Sequence, residues 1–261
     1  MHPVSRSIST PSAVRLFLAL TVTLLSTGAA IAQSLSASIT TAPLTVDQVV
    51  NNLVHKDLER ARDLRHYEST RVYRLAYRGF PGDRDAEMRV EATYDSPSTK
   101  SFKIISQSGS KLIFDRVFKR LLDSEKEAAA PDMHERTLLN RSNYDFALIA
   151  YEPAENGGQY LLAVYPKTKS KYLYRGKIWV DGNDFAVTRI EAEPAQNPSF
   201  WTKKSDIHHE YVKVGDFWLP RRNESVSYIR LGGRATLTIE YNNYRVRDAR
   251  TEDASSALHS R

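Results

Sequence analysis

Apolar positions recur with two different periods along this chain. From Glu87 to Tyr94 they alternate strictly, with Met88, Val90, Ala92 and Tyr94 on one face and Glu87, Arg89, Glu91 and Thr93 on the other. Period two with one dry and one wet face predicts an antiparallel strand packed on one side only. The stretch beginning at Ser110, "SKLIFDRVFKRLLDSEKEAAA", has the other period. Ile113, Phe114, Val117, Phe118, Leu121 and Leu122 fall at i, i+1, i+4, i+5, i+8 and i+9, while Asp115, Arg116, Lys119, Arg120 and Asp123 take the opposite side. That is an amphipathic helix with a broad apolar stripe, ending near Pro131.

An earlier helix is expected from about Thr45 to Leu64. Thr45 as N-cap with Gln48 at N3 makes a capping box, and Leu44 with Val49 makes a hydrophobic staple. Val46, Val49, Val50, Leu53 and Leu58 then share a face. "ESTRVYRLAYRG" and "TKSFKIISQSG" read as strands on either side of "EMRVEATYD". After the central helix, seven further segments read as strands with no other helix between them. They are "NYDFALIAYEP", "GQYLLAVYPK", "KYLYRGKIWVD", "FAVTRIEAEP", "SDIHHEYVKVGD", "FWLPRRNESVSYIR" and "GRATLTIEYNNYRV". Turns such as "GFPGDRD", "ENGGQ", "DGND" and "LGG" separate them at hairpin spacing. The expected fold is mainly β, a curled antiparallel sheet forming an unclosed barrel. The N-terminal helix and the central helix would serve as lid or plug.

The first residues carry an address. Arg6 and Arg15 precede the short apolar run "LFLALTVTLL", and "AIAQ" offers small-x-small cleavage between Ala32 and Gln33. Residues 1–32 are expected to be a cleaved signal peptide, 33–44 a disordered lead-in, 45–247 one domain and 248–261 a disordered tail. The expected destination is the periplasm. The chain has 37 Lys+Arg against 31 Asp+Glu and no cysteine. Cleavage would remove two Arg and no acid, so the excess falls from +6 to +4. Such a mild, scattered positive charge argues against nucleic acid. Without cysteine there is no disulfide, no thiol chemistry and no lipidated N-terminus.

The segments "GKIWVDGNDFAVTRIEAEP" and "YVKVGDFWLPRRNESV", followed by "ATLTIEYNNYRV", resemble the periplasmic lipoprotein-carrier family with the LolA/LolB-like fold. The resemblance spans roughly 45–247, and its motif-bearing part lies within about 170–247. It implies an apolar cavity under helical lids that holds an acyl chain or an acylated lipoprotein. It also implies inner- or outer-membrane partner proteins and a monomer that is not integral to the membrane. The chain departs from the family's membrane-anchored branch in lacking the N-terminal cysteine.

Two readings of the central helix stand side by side. Its stripe Ile113, Phe114, Val117, Phe118, Leu121 and Leu122, with Trp179 and Trp218, lines a ligand cavity, or it is ordinary core packed on the sheet. "DIHHEY" sets His208 and His209 on opposite strand faces, so they do not bind one ion together, and His208 with Glu210 supplies two ligands at most. No metal, no cofactor and no catalytic residue is expected, since no nucleophile motif is present. "PKTKSKYLYRGK" gathers five cations that either face water or meet an anionic headgroup or acidic partner. The leading expectation is a non-enzymatic carrier in lipoprotein or lipid trafficking. An interaction protein that senses envelope stress by binding a membrane-anchored regulator is the second. A hydrolase built from His208, Glu210 and a distant Asp is the third.

Overall fold

A computed structural model describes residues 43–250 apart from 155, 156, 198 and 231. The leader expected over 1–32, most of the lead-in and the tail beyond 250 lie outside the described residues. The chain enters through α1 (Val46–Asp63) and three strands, β1 (Leu64–Arg78), β2 (Arg84–Asp95) and β3 (Thr99–Gly109). The central helix follows in three parts: α2 (Lys111–Ile113), a π-helical turn (Phe114–Phe118) and α3 (Lys119–Ala129). After α4 (Pro131–Thr137) come β4 (Tyr144–Glu152), β5 (Gln159–Pro166), β6 (Tyr174–Asp181), β7 (Val187–Pro194), β8 (Thr202–Val214), β9 (Phe217–Ile229) and β10 (Arg234–Asp248).

All ten strands form one antiparallel sheet in the order β3-β2-β1-β10-β9-β8-β7-β6-β5-β4. β10 closes back onto β1, with Tyr73 opposite Ile239 and Arg71 opposite Tyr241. β3 and β4 are left as edges, so the barrel is unclosed, as the hydrophobic pattern predicts. The sheet is interrupted where the central helix is inserted between those two strands.

The capping box of α1 forms. The Gln48 amide donates to Thr45 Oγ1 at 3.3 Å, and the Thr45 amide donates to Gln48 Oε1 at 2.9 Å. Val49, Val50 and Leu53 are buried against Tyr160, Leu162 and Val180, whereas Leu58 is exposed because the buried stripe spans only the helix's first two turns. Thr45→Ala is expected to cost about 1 kcal/mol, a fall of about 2–4 °C in melting temperature for a chain of this size. A calorimetric melt checks it.

The π turn has a packing consequence. At 3.6 residues per turn, Ile113 and Phe118 would sit about 140° apart around the helix. The wider i→i+5 turn, closed by the Lys119 amide donating to the Phe114 carbonyl, brings them nearer one line. Ile113, Phe118 and Leu122 are thereby all buried, against Tyr73, Met88, Val90 and Ile239.

Two local expectations are corrected. α1 ends at Asp63, and Leu64 already begins β1. The sequence predicts strands alone after the central helix, but Pro131 opens a further short helix, α4, where its missing amide removes no helical bond.

Candidate functional site

The face of the sheet that carries the helices holds two apolar clusters. One lies under α1, on β4 to β7. The other lies under the central helix, on β1, β2 and β10. Strand alternation builds the second from Tyr73 and Leu75, with Met88 opposite Tyr73 on β2 and Ile239 opposite it on β10.

The same alternation places Arg71 on that dry face, two residues before Tyr73, and it is only 3% exposed. Its Nη1 donates to Glu125 Oε2 of α3 at 2.7 Å. The guanidinium carbon lies 4.9 Å from the centre of the Tyr241 ring and 5.2 Å from that of Phe102. The Tyr73 hydroxyl donates to the other oxygen of Glu125 at 3.2 Å. Arg71 Nε has no hydrogen-bond partner. Burial opposes the guanidinium's charge, but Glu125 and the surrounding phenols outweigh it and raise its pKa. Burial, reinforced by Glu125, likewise raises the Tyr73 phenol. The central helix is thus held by an apolar stripe and one buried ion pair.

Ile113, Phe118 and Leu122 form the buried line of that stripe, with Phe114, Val117 and Leu121 packed at its margin. The two tryptophans part company. Ile178 and Val180 belong to the cluster under α1, so Trp179 between them points to the opposite face of the sheet. There the Arg189 guanidinium covers its ring at 3.6 Å. Trp218 is on the helix-bearing side. It lines a cavity of about 180 Å³ beneath α1 together with Leu53, Tyr174, Ile190 and Tyr211. Its Nε1 donates to Asp184 Oδ2 at 2.8 Å. Arg60 of α1 donates to the carbonyls of Asp184 and Phe185, at 2.9 and 3.2 Å, and ties the helix to the β6–β7 turn. The structure does not bring the two tryptophans and the stripe into one cavity.

The histidines divide as strand geometry requires. His208 is exposed, 3.6 Å from Glu191. It borders a groove whose lining residues include no hydroxyl or thiol side chain. Among the described residues no group of three or more His, Cys, Asp or Glu could hold a metal ion. His209 sits between Ile190 and Asn223 on the other face. Burial, with a smaller contribution from His208, pushes its pKa down to about 4 from 6.5. The unfolded chain therefore takes up this proton first as pH falls. Stability held above pH 6.5 is expected to drain away between about 6.5 and 4, by on the order of 1–3 kcal/mol. Melts at pH 7.5 and 4.5 of the native chain and His209→Gln check this; an equal loss in both would assign the slope to other groups.

Sequence reasoning missed Arg71 and Glu125. A signal was present: Arg71 is in phase with Tyr73, Leu75 and Tyr77, whereas Arg74 and Arg78 are out of phase. No helix of the described residues is long and apolar enough to cross a membrane.

No family model matches the sequence, and no curated protein does. Solved structures do match. A DUF1329 family protein from Desulfovibrio piger is 13% identical over 78% of this chain and 94% of its own, with a TM-score of 0.39. An outer membrane lipoprotein-sorting protein domain from Vibrio parahaemolyticus is 11% identical over 76% and 93%, with a TM-score of 0.41. A LolA superfamily protein from Nitrosomonas europaea is 11% identical over 79% and 95%, with a TM-score of 0.36. The superfamily named above from the strand motifs is among them.

Proposed function

We propose that this chain is a non-enzymatic periplasmic carrier for an acyl chain or an acylated lipoprotein, with the central helix as a displaceable plug. The observation that carries this reading is how the helix is seated. Ile113, Phe118 and Leu122 fill an apolar site on an unclosed sheet, and one ion pair, Arg71–Glu125, is the buried polar hold.

Magnitudes allow an exchange. The cavity under α1, about 180 Å³, is below the roughly 300–1,000 Å³ of ordinary ligand pockets, and the larger grooves, of about 340 to 560 Å³, are lined chiefly by charged and polar residues. Cargo would therefore take the helix's place. Three buried side chains contribute about 1.5–3 kcal/mol each, and an acyl chain gains about 0.8 kcal/mol per methylene. A chain of roughly ten methylenes offsets the lost helix contacts.

Native mass spectrometry of the exported protein, isolated without detergent and followed by organic extraction, tests the proposal. Bound acyl species are expected, and Phe118→Asp with Leu121→Asp, which loosen the plug without touching the sheet side of the site, should raise acyl uptake rather than abolish it. A clean apo mass, with no uptake of added palmitate or phospholipid, would sink the carrier reading.

One observation favours a second reading. The concave apolar site is already filled by the protein's own side chains, which is what a non-carrier would show. The chain would then bind a protein, such as a membrane-anchored regulator, through its surface. Affinity for that partner surviving complete delipidation separates the two.

A further inference from the structure

We propose that one edge of the sheet docks on the surface of an anionic phospholipid membrane. The inference needs no acyl cargo and stands or falls apart from the carrier reading.

In this antiparallel meander the hairpin connections emerge alternately at two opposite edges. The β1–β2, β5–β6, β7–β8 and β9–β10 connections share one edge; the β2–β3, β4–β5, β6–β7 and β8–β9 connections share the other. Each connection can be taken with its two flanking strand residues. The hairpin connections of the first edge then carry seven Lys or Arg and one acid, Asp83, while those of the second carry six Asp or Glu, of which Asp184 and Asp216 are paired with Lys213 and Arg250. A sheet polarised in this way orients its basic edge toward a negative surface.

The same basic edge holds the three most exposed large apolar side chains among the described residues. Phe80 is 79% exposed, Phe200 76% and Trp201 55%. They are held in place rather than loosely displayed. Phe200 and Trp201 meet edge to face with centroids 5.5 Å apart. Arg230, from the β9–β10 connection, donates from Nε to the Phe200 carbonyl at 2.7 Å, and its backbone amide donates to Trp201 O at 2.9 Å. Its guanidinium also lies 5.3 Å from the Phe200 ring centre. The Tyr77 hydroxyl donates to Phe80 O and is shared with Gly232 O at 3.4 Å, joining the β1–β2 turn to the same assembly.

Aromatic side chains among cations are the composition of a membrane–water interface. Trp sits at the headgroup level, Phe reaches the acyl boundary, and Lys and Arg meet anionic headgroups. A protein partner is the less suitable occupant, because Phe80 on one turn and the Phe200–Trp201 pair on another project as exposed rings instead of lining one groove. Some of the charge is already used, since Lys167 pairs with Asp145 and Lys171 with Glu127. Arg230 meets a carbonyl where a carboxylate would neutralise it.

The test is co-sedimentation of the exported protein with vesicles of phosphatidylethanolamine and phosphatidylglycerol, set against phosphatidylcholine alone. Binding only to the anionic vesicles is expected, at least tenfold weaker in high salt. Phospholipids brominated in the acyl chains should quench Trp fluorescence. Trp201→Phe should lose that quenching yet still sediment, because Trp179 and Trp218 are buried or half-buried. Phe200→Ser with Trp201→Ser should lower binding at least tenfold at an unchanged melting temperature. Lys169→Glu with Arg234→Glu, on two other connections, should do the same. Binding indifferent to headgroup charge or to both double variants overturns the proposal. So does quenching that persists in Trp201→Phe, or a dimer that only the Phe200 and Trp201 changes dissolve, which would make the edge a contact between copies of this chain.

Discussion

Phe118→Ala is expected to destabilise the protein's central helix by about 3–5 kcal/mol, because it empties a fully buried site between helix and sheet. The ring lies 6.1 Å from that of Tyr73, centroid to centroid, inside the cluster on β1, β2 and β10. Where the loss appears matters more than its size. The two apolar clusters share no buried residue, and α1 covers the other one. If the central helix is a plug that opens by itself, the loss is local. Amides from 110 to 129 should then exchange on the order of 10²–10³-fold faster, and those of β5 and β6 should keep their protection. Hydrogen exchange resolved along the chain reads this directly. Equal acceleration in both clusters would mean that helix and sheet open as one body, and the displaceable plug would be lost with it.

Much of this architecture is legible because each element declares itself over short distances. The alternation from Glu87 to Tyr94 appears as Ala86, Met88, Val90 and Ala92 buried on one side of β2. The capping box of Thr45 and Gln48 is a local exchange of hydrogen bonds that needs no tertiary partner. What stays hidden depends on neighbours remote in sequence. In the run Ile178-Trp179-Val180 every residue is apolar and buried, so periodicity does not tell which face Trp179 takes. That it lies under Arg189 follows from the pairing of β6 with β7, which sets Trp179 opposite Arg189. α4 is hidden for a different reason. At seven residues it is too short to be stable by propensity, so its sequence carries little helical signal. The π turn has no compositional mark either; it widens the helix where Ile113 and Phe118 must both reach the sheet. The charge polarity of the two edges is written in the connections, but it means nothing until strand order shows which connections are neighbours.

Glu125→Ala should cost about 3 kcal/mol, and the reason lies with its partner. Arg71 is 3% exposed and enclosed by aromatic rings, so without Glu125 its charge stays buried with only phenolic oxygens at 3.4 and 3.5 Å. Removing one member of a buried pair costs about 3–5 kcal/mol. The lower end applies because the Glu125 side chain is 27% exposed and water can enter where it stood. Arg71→Met should cost less, about 1–2 kcal/mol. It removes the buried charge itself, and Glu125 can turn toward water while its bond from Tyr73 survives. The double change Arg71→Met with Glu125→Leu should then be milder than Glu125→Ala alone, since an apolar pair needs no counterion. Urea midpoints for the native chain, Arg71→Met, Glu125→Leu and the double variant form a double-mutant cycle, with a coupling of about 1–3 kcal/mol expected. Simple additivity would show that the two groups stabilise helix and sheet separately. A strong coupling makes the pair the polar hold of the helix, and it carries a consequence for cargo. In the double variant the helix would sit on a wholly apolar site, and displacing it would no longer leave an uncompensated charge on the sheet. Acyl uptake by that variant should be faster than by the native chain, at similar stability.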